Sequence, residues 1–92
     1  MAPESLKVVK SDAFEHVSSL VKLEFGSNLR KLGYHAIVSA NNLKSLAINS
    51  KKFNNASYSS ISDCERLAVI VGPNNYVTRR LAESTGATLI SI

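Results

Sequence analysis

The segment Ala36-Ile-Val-Ser-Ala-Asn-Asn-Leu43 is echoed by Val69-Ile-Val-Gly-Pro-Asn-Asn-Tyr76. In each, a short apolar run reads as a strand. An Asn pair then follows, and Asn is both a turn former and a helix cap. Asn41 aligns with Asn74, and Asn42 with Asn75. If the two strands are parallel neighbours, four amides share one edge of one sheet. That edge lies outside the carboxyl ends of the strands, where open α/β sheets bind ligands.

Working outward from the second unit, Leu67-Ala-Val-Ile-Val71 is a continuous apolar run, expected of a strand covered on both faces. Gly72 and Pro73 end it. Asn74 reads as the N-cap of a helix over residues 75–84 that turns Val77, Leu81 and Tyr76 inward. Gly86 stops that helix, and Ala87-Thr-Leu-Ile-Ser-Ile92 is the closing strand. Around the first unit, a strand over residues 34–39 leads into a helix over 42–52 carrying Leu43, Leu46 and Ala47.

Further back, Ser5 opens a strand containing Val8 and Val9. Ser11 and Asp12 are N-cap residues with Glu15 near the capping-box position. Phe14, Val17, Val21, Phe25 and Leu32 then recur at helical spacing up to Gly33, a natural helix stop, predicting a long helix over 12–32. Gly26 inside it costs roughly 1 kcal/mol relative to Ala. Residues 53–63 are rich in Ser and Asn and read as a flexible loop.

The expectation is a single α/β domain over residues 1–92, in two or three layers. It has a mainly parallel three- to four-stranded sheet and three helices, in β-α-β-α-β-α-β order. Two copies of the echo fall below the three repeats that a stacked array needs, so no repeat protein is expected.

Ninety-two residues and 45% apolar content fit one small core. No apolar stretch is long enough to span a membrane, and Met1-Ala-Pro-Glu-Ser-Leu-Lys7 lacks the signature of a secretory signal. The single cysteine, Cys64, forms no internal disulfide, which makes a reducing, cytoplasmic-type compartment the expectation. The net charge is +4, with a pI near 9.5. The basic residues are spread along the chain, with doublets at Arg30-Lys31, Lys51-Lys52 and Arg79-Arg80.

Catalytic signatures are weak. Gly72-Pro73 is not a phosphate-binding or dinucleotide loop, because the glycine spacing is absent. A Cys64–His35 pair would fall on the N-terminal edge of the sheet, and Asp63 and Glu65 raise a thiol's pKa rather than lower it. His16, His35, Asp63 and Cys64 show no metal-ligand spacing. No enzyme, cofactor or metal is expected, and His16 reads as a surface residue.

The first functional reading is a non-enzymatic module that binds nucleic acid, RNA foremost. Lys44, Lys51, Lys52, Arg79 and Arg80 would contact phosphates. Asn41, Asn42, Asn74, Asn75 and the Gly72 amide would supply directional hydrogen bonds, and Tyr34, Tyr58 and Tyr76 would stack on bases. The Asn-Asn turn before a basic helix is slightly similar, over residues 66–92, to the kink-turn RNA-binding ribosomal proteins. The order of the remaining elements does not match that family; the resemblance implies RNA as the partner. One alternative is a protein-interaction or assembly domain, dimers included, pairing through the strand of Leu89, Ile90 and Ile92, which carries no charged gatekeeper. Another is a small-anion or nucleotide sensor at the Asn-lined edge. The plainest alternative is that the Asn residues only cap helices and the basic doublets are only solvated surface.

Overall fold

A computed structural model describes residues 6–15, 17–57 and 59–92. The expected start of the first strand at Ser5, the surface role of His16 and the stacking role of Tyr58 lie outside these residues. Among them the chain forms β1 (Val8–Val9), β2 (Phe14–Glu15), β3 (Lys22–Phe25), β4 (Lys31–Leu32), β5 (Ile37–Val38), β6 (Ser45–Ile48), β7 (Asn55–Ala56), β8 (Ile61–Ser62), β9 (Val69–Gly72), α1 (Tyr76–Thr85) and β10 (Thr88–Ser91).

Each of β1 to β6 pairs in parallel with the strand three places later. The sheets are β1-β4-β7, β2-β5-β8 and β3-β6-β9, and β10 adds to the outside of β9. The chain therefore winds as a three-sided coil, one strand per side per turn. Val8 pairs with Lys31, Phe14 with Ile37 and Lys22 with Ser45, an offset of 23 residues each time. Lys31 pairs with Asn55, Ile37 with Ile61 and Ser45 with Val69, an offset of 24. Phe25 still pairs with Ile48 at 23, so the added residue lies in the corner after β6, where Lys51 and Lys52 stand.

The inward positions stack into apolar columns. Leu23, Leu46, Ile70 and Leu89 share one register across the four-stranded sheet. Leu29, Leu32, Ile37, Leu43, Ile48 and Phe53 are fully buried around them. Ladder hydrogen bonds continue through the corners: Asp12 N–H donates to the His35 carbonyl (3.0 Å) and His35 N–H to the Ser59 carbonyl (3.1 Å). These three equivalent residues all adopt the left-handed conformation, as do the equivalent pair Ser39 and Asp63. Asp and His tolerate it better than most residues, and each sharp corner recurs in the same place on successive turns.

The coil ends in α1. Asn75 is its N-cap: Oδ1 accepts from Thr78 N–H (2.9 Å) and Thr78 Oγ1 (3.0 Å). Asn75 Nδ2 donates to the Phe53 carbonyl at 2.6 Å, tying the helix to the turn beneath. Gly72 occupies the inward column of Phe25 and Ile48, and the Thr78 methyl fills the space that a side chain there would take (2.9 Å). Gly86 closes the helix in the left-handed conformation.

The α/β domain with three helices is thus corrected to three parallel sheets and one helix. The described residues of 12–32 form β2, β3 and β4 with their corners, and residues 42–52 form a corner and β6. The expected loop over 53–63 contains β7 and β8. Asn75, not Asn74, caps the C-terminal helix. The helical spacing misled because a chain turning a corner brings apolar residues inward at mixed intervals. Leu20, Leu23, Phe25, Leu29 and Leu32 include steps of three and four although no helix exists there.

Candidate protein-interaction surface

The four-stranded sheet is the widest side of the coil. Two outward rows cross it: Lys22, Ser45, Val69 and Thr88, then Glu24, Ala47, Val71 and Ile90. Chemistry changes along both rows. At β3 the Lys22 ammonium lies 3.8 Å from the Glu24 carboxylate. At β9 and β10 the side chains are Val69, Val71, Thr88 and Ile90, with Ile90 51% and Ile92 44% exposed.

β10 is also the open edge of this sheet. Thr88 N–H donates to the Ala68 carbonyl (2.8 Å) and Ile92 N–H to the Gly72 carbonyl (2.9 Å). By alternation, the backbone groups of Leu89 and Ser91 point away from β9 and face the open edge. Residues 84–92 carry no charged side chain, whereas the opposite edge, β3, carries Lys22 and Glu24. Charged side chains are how natural edges resist adding strands, so only one of the two edges is guarded.

A cleft of about 440 Å³ separates α1 from the third turn, bordered by Ser57, Ser59, Ser60, Tyr76, Arg80 and Ser84. The Arg80 guanidinium lies over the Tyr76 ring at 5.6 Å. The buried Ser60 hydroxyl has no hydrogen-bond partner among the described residues.

The residues expected to form a polar site are dispersed. β5 and β9, which precede the two Asn pairs, belong to different sheets, so the condition for one shared Asn edge is not met. Asn42 Nδ2 donates to the Ser18 carbonyl one turn away (2.7 Å), with exposed Asn41 beside it. Asn74 Oδ1 accepts from Arg79 (2.9 Å) and Asn75 is consumed by capping. Lys44 precedes β6 while Lys51 and Lys52 follow it, and the Lys52 ammonium donates to Asn28 Oδ1 (3.0 Å). Gly72 ends β9 against Thr78. Only Asn74, Asn75, Arg79 and Arg80 come together, at the start of α1.

Cys64 is buried, with Sγ 3.5 Å from the Ser62 carbonyl. Burial pushes its thiol above the ordinary value and Asp63 adds to the shift, while backbone hydrogen bonds at Ala40 and Ser62 oppose it. His35 is stacked on Tyr34 at 3.9 Å. No group of three or more metal-ligating residues exists among the described residues, and among them no helix is long and apolar enough to cross a membrane.

The stacked core has a sequence signal that the helical reading passed over. Leu20-x-x-Leu23-x-Phe25 recurs as Leu43-x-x-Leu46-x-Ile48 and Leu67-x-x-Ile70-x-Gly72. That is the L-x-x-L-x-L spacing of leucine-rich repeats, whose period of 20–29 residues includes the offsets seen here. It replaces the likeness to RNA-binding ribosomal proteins, and the nucleic-acid reading with it: repeats of this kind serve protein interaction. No curated protein and no solved structure gives a significant match to the chain. Residues 1–84 match the family model described as BspA type leucine rich repeat region (6 copies), and the chain belongs to that family.

Proposed function

We propose that this chain is a protein-interaction repeat module that takes a partner's strand onto the open edge of β10. The observation that carries this reading is the unguarded edge itself, with exposed Ile90 and Ile92 beside the outward-facing backbone groups of Leu89 and Ser91. Main-chain hydrogen bonds would supply affinity, and the apolar rows from Val71 to Ile90 would supply contact area. A second copy of the chain is one such partner, because antiparallel pairing of two β10 strands brings no like charges together.

The test uses two substitutions at the edge. Ser91→Pro removes an outward N–H without removing a β9–β10 hydrogen bond, a position where edge strands tolerate proline. Ile90→Lys installs the missing guard. The expected result is that the wild-type chain increases in mass with concentration by light scattering, or captures partners, and that both variants lose this behaviour while melting cooperatively. Capture of the same partners by all three chains would refute the reading, as would a mass that stays monomeric in a wild type that captures nothing.

A further inference from the structure

A second surface lies on the β1-β4-β7 side and the corner leading into it. The register places Lys7, Arg30 and Asn54 in one column: Arg30 N–H donates to the Lys7 carbonyl (2.7 Å) and Asn54 N–H to the Arg30 carbonyl (3.3 Å). The next column is Val8, Lys31 and Asn55. Lys10 follows β1, and Lys51 and Lys52 fill the corner before β7. Side chains far apart in sequence thus gather on one side of the coil, and Lys7, Lys10, Arg30, Lys31, Lys51 and Lys52 are six of the chain's eleven basic residues.

Among the described residues no carboxylate pairs with them, although Asp12 stands two residues after Lys10. No Asp or Glu occurs anywhere between Phe25 and Ser62. None of the six makes an ion pair with a described residue; Glu24 is engaged with Lys22 on another side. Successive turns lie about 4.8 Å apart, so Lys7 and Arg30 hold like charges one above the other. Such stacking is unfavourable in the free molecule, and an anionic partner relieves it.

The geometry points to a docking face for an acidic polypeptide segment. Carboxylates would meet the six cations, the exposed Asn54 and Asn55 amides would bond its backbone, and exposed Val8 would take an apolar side chain. These positions carry no aromatic side chain, which single-stranded nucleic acid uses as a stacking platform. Of the exposed tyrosines among the described residues, Tyr34 is stacked on His35 and Tyr76 lies under Arg80.

The experiment measures anisotropy of labelled oligoglutamate at low and high salt. Oligoglutamine and a single-stranded RNA of matching charge serve as comparisons. Arg30→Glu with Lys31→Glu is expected to weaken oligoglutamate binding by about tenfold or more. Lys44→Glu with Arg66→Glu, the same charge change off this face, is expected to leave binding nearly intact. Arg30→Gln with Lys31→Gln, whose fold is less stressed, is expected to fall between them. The proposal is overturned by absence of oligoglutamate binding at low salt, by equal losses in the two charge-reversed variants, or by tighter binding of the RNA. Ser91→Pro leaves this face untouched, so failure here and failure of the β10 reading are separate results.

Discussion

At the scale of single residues, the coil is set by close backbone approaches. Gly33 stands where a Cβ would lie 2.9 Å from the Val9 carbonyl oxygen, 3.0 Å from Ser11 N and 3.1 Å from the Lys10 carbonyl carbon. All three are backbone atoms, and the Val9 carbonyl itself accepts the Gly33 N–H (2.7 Å), so no side-chain rotation can relieve the clash. Gly33→Ala is therefore expected to cost about 2–3 kcal/mol, read from the urea midpoint. Gly86→Ala meets open space and bears only the left-handed backbone at φ 77°, about 1 kcal/mol. The opposite ranking would show that turn spacing is not set at Gly33. From sequence, Gly33 reads equally well as a helix stop, because the contact that demands glycine comes from residues 22 to 24 positions earlier. The direction of the Cys64 shift was more legible, since Asp63 beside it pushes the thiol up as burial does. The Cys64 thiol keeps its proton in the folded state to higher pH than in the unfolded chain. Above the ordinary thiol value of about 9 the native state thus binds more protons, and stability must fall as pH rises. Urea unfolding followed from below to above pH 9 should show this decline, and Cys64→Ala should flatten it while lowering stability throughout. An equal decline in both chains would assign the effect to another group.

At the scale of elements, what was legible and what was not divide at α1. The unit of β9, α1 and β10 has local signals: an apolar run, an Asn cap, a helix of three turns and a glycine stop. Each is written within a few residues, so reading along the chain finds it. The strands of the first two turns, by contrast, are two to four residues long. Two residues show no period, and the apolar residues on either side of a corner merge into a false helical stripe, as Phe14, Val17 and Val21 did. Val21 is in fact exposed, while Leu20 packs against the core. The Asn echo failed for a related reason. Asn41 and Asn74 are 33 residues apart, out of step with a coil that returns every 23 or 24, so the likeness joins different sides of the molecule. The edge strand β10 was visible because lack of charge is a local property; the basic face was hidden because its members meet only when the turns are stacked.

At the scale of the whole molecule, stability rests on each turn covering the next, since inward side chains find most of their apolar contacts one turn above or below. The middle turn shows it: Leu32, Ala36, Ile37, Ala40, Leu43, Leu46, Ile48 and Phe53 are all fully buried between their neighbours. Among the described residues the first and last turns each lie against one other turn, and α1 follows the last. A further middle turn would add one complete interface without adding an end. Arg30 and Asn54 occupy equivalent positions, so a second copy of residues 31–54 placed after Asn54 continues the path without a break. The lengthened chain is expected to unfold in one transition at a higher urea midpoint. Its m-value should rise by roughly a quarter, because m follows the surface exposed on unfolding and 24 residues join the original 92. The side columns should also hold, with Lys31 stacked on its own copy and the basic face lengthened. That costs some repulsion at low salt, so the gain in midpoint should be larger at high salt. A midpoint that does not move, or a second transition at lower urea, would mean that the added turn is not covered by its neighbours and that the ends, not the stacked interfaces, hold the coil together.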